Sequence, residues 1–144
     1  MSIRNQHLKK ALISLGCVPR KSLVLKFPTF EQVPKEYIIP FIRGYVDGDG
    51  CISYKRRKTS LGVIIRIEGT LDFLKGVEQE LEVGSGVFVC HPHHCTLEYS
   101  STKSFEIIKK LYLNSKIHLN RKYNRAMIFI KNNNAVKESD LPDY

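Results

Sequence analysis

Hydrophobic positions along the chain follow two rhythms, a helical one and an alternating one. Leu8, Ala11, Leu12 and Leu15 repeat at helical spacing and Gly16 follows as a C-cap, which predicts a helix over 4–15. Ser22–Lys26 alternates and reads as β-like, and Pro28 and Pro34 bracket a loop. Helical spacing returns from Lys35 to Asp47 with Pro40 inside it. Proline is tolerated in a first turn, so this helix is expected to begin near Ile39 or Pro40 and to stop at Asp47-Gly48-Asp49-Gly50. Cys51–Arg57 and Gly62–Glu68 alternate as paired strands joined through Lys58-Thr59-Ser60. Thr70 is placed to N-cap a helix over Leu71–Leu81, with Leu71, Leu74, Val77 and Leu81 on one face. After Gly84-Ser85-Gly86, Val87–Cys90 and Thr96–Ser100 predict a second hairpin. Ser104–Leu113 is a further amphipathic helix with Phe105, Ile108, Leu111 and Tyr112 inward. A short basic segment, Ile117–Arg125, leads to a last helical stretch ending near Ile130, and a polar tail begins at Asn132.

From residue 39 the order is α-β-β-α-β-β-α-α. This is an α+β unit: a four-stranded antiparallel sheet with helices on one face and the other face free. With Ile52, Tyr54, Val63, Ile65 and Ile67 turned to the core, Lys55, Arg57 and Arg66 fall on the free face. The chain divides into a helix–strand segment over 1–34, the main unit over 35–131, and the tail over 132–144. The run HLKKALISLGCVPRKSLVLKFP is similar to FLKGVEQELEVGSGVFVCHP: a helix opening on Leu-Lys, a glycine, then a strand. Residues 7–28 therefore read as the tail of a truncated earlier repeat, with a chance helix–strand match as the alternative.

Composition narrows the function. The 144 residues are 42% hydrophobic, enough for one domain with a core. No stretch approaches the roughly 20 apolar residues of a membrane span, and the start, MSIRNQHLKK, has no apolar signal-peptide region. An intracellular protein, cytoplasmic or organellar and not secreted, is expected, with no membrane partner. Cys17, Cys51, Cys90 and Cys95 then read as reduced thiols, Cys17 and Cys51 as small core residues. The net charge is +9, and the tail from Asn132 carries one Lys against three acids, so the main body is more basic still. Phosphate backbones are the commonest reason for such a balance.

The run that carries chemistry is Phe41-Ile-Arg-Gly-Tyr-Val-Asp-Gly-Asp-Gly50. A helix face showing Gly44 and Gly48 lets a second helix approach closely, because no side chain intervenes. Asp49 projects from the helix C-terminus, and two such helices side by side bring two Asp49 carboxylates together. Helix C-termini are themselves negative, so the arrangement calls for cations. Carboxylates, backbone carbonyls and water suit Mg²⁺, and paired metals serve phosphodiester cleavage.

At these residues, Ile42–Gly50 resembles the signature helix of the LAGLIDADG homing endonucleases, and the α-β-β-α-β-β-α order resembles their core over roughly residues 35–130. The resemblance implies a site-specific double-strand DNA endonuclease using Mg²⁺ or Mn²⁺. It implies Asp49 as the metal-binding carboxylate with the Gly48 carbonyl beside it, and Asp47 ordering the helix end. Gly44 and Gly48, flanked by Tyr45 and Phe41, become the interface between paired helices. Lys122, with Arg121 close behind, takes the place of the family's basic residue. Glu68 stands about where a polar neighbour of the metal water is found, with Glu in place of the expected Gln. The free sheet face belongs in a DNA major groove, through Ser53, Lys55, Arg57, Arg66, His91, Thr96, Glu98 and Ser100, with Ile64 and Val89 also outward.

Only one motif is present, which implies a homodimer, or else the C-terminal half of a two-repeat enzyme. A rival reading keeps the fold without cleavage, as an RNA maturase or DNA-binding regulator. A third uses Cys90, His91, His93, His94 and Cys95 as a zinc-dependent interaction site, although their spacing is unlike the usual paired ligands; the preferred reading of that turn is a DNA-facing one.

Overall fold

Residues 5–14, 16, 24–56 and 61–131 are described in the computed structural model of the chain. Helix α1 spans Gln6–Ser14; Asn5 caps it through Oδ1, which accepts from His7 N at 2.9 Å and Leu8 N at 3.1 Å. Gly16 adopts φ +90°, the left-handed C-cap its sequence position suggests. Leu8, Leu12 and Ile13 of α1 are all exposed.

The β-like stretch over Ser22–Lys26 is not a strand where it is described. Val24–Lys26 belongs to no strand, and residues 22 and 23 lie outside the described residues. Its alternation reflects side-chain burial instead: Leu25 and Phe27 pack on the core while Val24 and Lys26 are exposed. The Leu25 carbonyl accepts from the Thr70 hydroxyl. Phe27 lies over Gly76, where a Cβ would fall 2.4 Å from its ring. It also meets Phe41 and Phe73 at centroid distances of 6.0 and 5.9 Å.

A 3₁₀ turn, Lys35–Tyr37, leads into α2, Ile38–Asp49. Pro40 sits in the first turn of α2, where its missing N–H costs nothing. Strands β1 (Cys51–Arg56) and β2 (Leu61–Gly69) follow, then α3 (Leu71–Leu81), β3 (Val87–His91), β4 (His94–Ser100), α4 (Ser101–Tyr112) and α5 (Asn120–Lys131). Thr70 caps α3 as expected, accepting from Phe73 N at 3.2 Å. The other end of α3 turns through Glu82 at φ 54°, and Lys110 Nζ reaches the Leu81 carbonyl and Glu82 Oε2, each at 2.9 Å.

The strands form one antiparallel sheet in the order β1-β2-β4-β3. Its inner face (Ile52, Val63, Ile65, Ile67, Leu97 and Tyr99) is buried with Ile38, Ile42, Val46, Phe73, Leu74, Val77 and Ile107 from the helices. This burial is what fixes register, since a one-residue slip would exchange the two faces.

Two helical expectations change. In α4 the inward positions are Ile107, Ile108, Leu111 and Tyr112, and Phe105 is only half-buried under Lys109. The buried stripe runs through Ser104, Ile107, Ile108 and Leu111 at helical spacing, which leaves Phe105 at its margin. The basic run up to Arg125 is not a lead-in: α5 already begins at Asn120. Its inner residues are Lys122, Ala126 and Phe129, a stripe a hydrophobic count cannot find because its first member is charged. Arg125 of α5 donates to the Ile52 carbonyl at 2.8 Å, covering a peptide group of the edge strand β1.

Candidate functional site

The end of α2 is built by opposed faces. Ile38, Ile42 and Val46 are buried, while Gly44 and Gly48 lie on the exposed side and an added Cβ at either meets nothing within 4 Å. Gly50 turns the chain from helix to strand. Its N–H donates to the Val46 carbonyl at 3.0 Å, and a side chain there would lie 2.8 Å from the Val46 backbone.

Three side chains hold this turn. Asp47 Oδ1 accepts from the Tyr112 hydroxyl at 2.7 Å, and Oδ2 accepts from Leu119 N at 2.9 Å. The carboxylate therefore ties α2 to both α4 and the entry of α5. Arg43 donates to the Leu111 carbonyl at 3.0 Å. Lys122 is only 4% exposed, and its ammonium donates to the carbonyls of Val46 and Gly50. Burial and then the like charge of Arg121 push that ammonium below the usual lysine range, while Asp47, Cys51 and Asp49 pull it back.

Asp49 is the last helical residue and is exposed. Glu68, near the end of β2, is exposed on the open side of the sheet. Both carboxylates act on one group, the Tyr45 hydroxyl. Burial and then the charges of Asp49 and Glu68 push it up to about 12, and it donates to the Glu68 carbonyl at 2.8 Å. The structure thus brings Asp49, Glu68 and Lys122 to one end of α2, with Arg121 exposed beside Lys122. Tyr45 and Phe41 flank the glycine face but are half-buried within the chain. Tyr45 packs on Phe73 with the rings tilted and their centroids 4.4 Å apart, and Phe41 meets the same ring at 6.4 Å.

The open sheet face is set by register. Cys51 pairs with Arg66, Ser53 with Ile64 and Lys55 with Gly62; Arg66 pairs with Glu98, Glu68 with Thr96 and Ile64 with Ser100. Val87 and Val89 continue the rows beside Glu98 and Thr96, and His91 faces His94. Ser53, Arg66, His91, Thr96, Glu98 and Ser100 lie on this side as expected, and Lys55 holds a matching register position. Arg57 lies outside the described residues. Ile64 is on this face yet only 5% exposed. Arg66 and Glu98 form a 2.7 Å ion pair. Sequence alone placed both on the face but could not show that they neutralise each other.

The cysteines require corrections. Cys90 and Cys95 are not thiols but a disulfide across the β3–β4 hairpin, where register sets them opposite each other at a Cα separation of 4.1 Å. Zinc loses its two thiolate ligands there, and the described residues contain no group of three or more His, Cys, Asp or Glu able to hold a metal. His91 and His94 remain as a tilted pair of rings 4.9 Å apart. Cys51 is a free thiol but not a core residue: it starts β1 on the open side, and Ile52 takes the inward position. Cys17 lies outside the described residues.

No family profile and no curated protein sequence matches the chain. Solved structures do. The homing endonuclease I-CvuI in complex with its target, in the presence of Ca, superposes with a TM-score of 0.53 at 18% identity. The alignment covers 67% of this chain and 66% of that one. The LAGLIDADG meganuclease I-AabMI bound to uncleaved DNA gives 0.51 at 17% identity, over 69% of this chain and 39% of that one. The chain has the fold of the LAGLIDADG homing endonucleases. It spans about a third of I-GzeII, another LAGLIDADG homing endonuclease solved with its DNA target, at a TM-score of 0.50 and 17% identity. At these identities the likeness is one of fold alone.

The donor set at the α2 end consists of oxygens: the Asp49 carboxylate, the last-turn carbonyl of Gly48 and, nearby, the Glu68 carboxylate. That chemistry fits a hard divalent cation such as Mg²⁺ or Mn²⁺. No described helix is long and apolar enough to cross a membrane.

Proposed function

We propose that the chain is a site-specific DNA endonuclease that works as a homodimer. The observation that carries this reading is the end of α2. An exposed carboxylate, Asp49, stands at the C-terminus of a helix whose Gly44 and Gly48 face is open to a second helix. Pairing two copies through that face brings two Asp49 carboxylates and two Gly48 carbonyls to one point, beside two open sheet faces. The basic balance of the chain, +9, suits a duplex partner. I-CvuI and I-AabMI, which share the fold, were solved on DNA.

In this reading Asp49 and the Gly48 carbonyl hold the metal, and Glu68 orients water at the same end. When bound there, Mg²⁺ or Mn²⁺ supplies an activated water and neutralises phosphate charge. Lys122 acts as a positioning residue, because its ammonium is engaged by the Val46 and Gly50 carbonyls. Arg121, exposed beside it, is the cation that meets a phosphate. Ser53, Arg66, His91, Thr96, Glu98 and Ser100 form the surface laid in the major groove.

The test incubates the full chain with a random-sequence duplex library and Mg²⁺ and sequences the ends produced. Recurrent ends around one motif are expected, along with loss of cleavage by several orders of magnitude in Asp49→Asn while gel-shift affinity persists. A mutant that cuts as fast as wild type would remove Asp49 from the site. Retention of DNA without cleavage by the wild type would instead favour the binding-only reading.

A further inference from the structure

The open sheet face changes character at its outer edge. Val87 and Val89 of β3 both point out of the sheet, 62% and 47% exposed, while Phe88 between them packs on the core. Val87 stands in register beside Glu98 and Val89 beside Thr96. Glu98 already holds Arg66 in its ion pair, so the cation of that row is neutralised. The outward positions of the β3–β4 hairpin, namely Val87, Val89, His91, His94, Thr96 and Glu98, include no Lys or Arg. This half of the face is built for something other than phosphate.

Edge strands usually carry charge on such positions to prevent pairing with other chains, so two adjacent outward valines call for an occupant. We propose that Val87 and Val89 read thymine methyl groups, seating the β3 edge against A·T pairs in the major groove; this rests on the reading of the open face as a duplex DNA surface. In the major groove, thymine presents a C5-methyl group and is the base edge that takes apolar contact. Cytosine in the same place presents an amino donor, which an aliphatic side chain would leave unpaired. The spacing matches as well. Residues i and i+2 of a strand are about 6.8 Å apart, and base pairs rise about 3.4 Å each. A strand lying along the groove therefore sets Val87 and Val89 over positions two base pairs apart. Thr96, beside Val89, adds a methyl of its own to the same contact.

The experiment uses the full chain and a randomised duplex library, sequencing the bound fraction. Thymine at the enriched positions is then replaced by deoxyuridine, which keeps the pairing edge and removes only the methyl group. Enriched A·T pairs two steps apart are expected. Affinity should fall about fourfold for each methyl removed, on the scale of one buried methyl-sized group. Val87→Ser/Val89→Ser should abolish the difference between thymine and deoxyuridine and leave the rest of the selected motif in place. Equal binding of both duplexes by wild type would overturn the proposal, as would a preference that survives in the double variant. If neither library is retained, the DNA reading of the face fails and this proposal with it. Self-association that disappears in the double variant, without any methyl effect on DNA, would assign the edge to a second copy of the chain and also overturn it.

Discussion

The Tyr112 hydroxyl donates to Asp47 Oδ1 across 2.7 Å, and this one bond joins the last turn of α2 to the end of α4. Asp47 is thereby separated in role from Asp49, two residues on. Tyr112→Phe removes one bond and should lower stability by about 1–2 kcal/mol. Asp47→Ala also strands the Tyr112 hydroxyl and Leu119 N, and should cost more. Urea unfolding midpoints check the order. Asp49→Asn, at an exposed position, should lower stability less than Asp47→Ala does.

Two glycines of the chain should respond to alanine with opposite signs. At Gly44 a Cβ meets open space, so Gly44→Ala should stabilise the isolated chain by about 0.5–1 kcal/mol through helix propensity. At Gly76 the Cβ would fall 2.4 Å from the Phe27 ring. Gly76→Ala should therefore destabilise by about 1–3 kcal/mol despite the same propensity gain. If copies pair through the Gly44 face, Gly44→Leu should shift the chain from dimer to monomer in light scattering. Its thermal midpoint at high dilution should be no lower than that of wild type.

Lys122→Met keeps the buried stem and removes the ammonium under the α2 end. The Val46 and Gly50 carbonyls lose their donor, and the turn that places Asp49 loosens. A loss of about 1–3 kcal/mol in stability is expected. Cleavage should fall through weaker metal use, so that raising Mg²⁺ restores part of the rate. Arg121→Met should leave stability unchanged and weaken DNA binding. Equal effects of the two variants on stability would refute the division of roles.

Tyrosine titration gives a pH test. An unfolded chain ionises its tyrosines near pH 10, whereas the Tyr45 hydroxyl is pushed up to about 12 by burial and by Asp49 and Glu68. Tyr112 is also raised, by burial and by its bond to Asp47. Between about pH 10 and 12 the folded chain therefore keeps protons that the unfolded chain has shed. Stability contributed by these neutral hydroxyls is complete below about pH 10 and declines as pH rises. Ultraviolet phenolate absorbance should show a late step near 12 that Tyr45→Phe removes.

Much of this was readable because it is local. The second hairpin and α3 with its Thr70 cap follow from spacing within a dozen residues, and Asp49 stands out by motif. What escaped depends on contacts between distant segments. The burial of Lys122 is not legible locally, because lysine is almost never buried unless paired and its partners lie more than 70 residues away. The slot for Phe27 at Gly76 is visible in neither segment alone. Composition leaves Cys90 and Cys95 as thiols, while their bonding follows from the hairpin register that sets them opposite each other.

The cations that end on the chain's own carbonyls have a consequence for ionic strength. Arg43, Lys110, Lys122 and Arg125 each donate to a backbone oxygen of the fold from a part-buried or buried position. A side chain engaged in that way displaces no counterion from a nucleic acid. The logarithm of a DNA association constant falls with the logarithm of salt concentration by about 0.9 for each phosphate neutralised. The 23 Lys and Arg of the chain therefore overstate its footprint on DNA. Lys110→Met should leave the slope as it is, Arg121→Met should flatten it by about 0.9, and the difference between the two counts phosphate contacts that composition cannot.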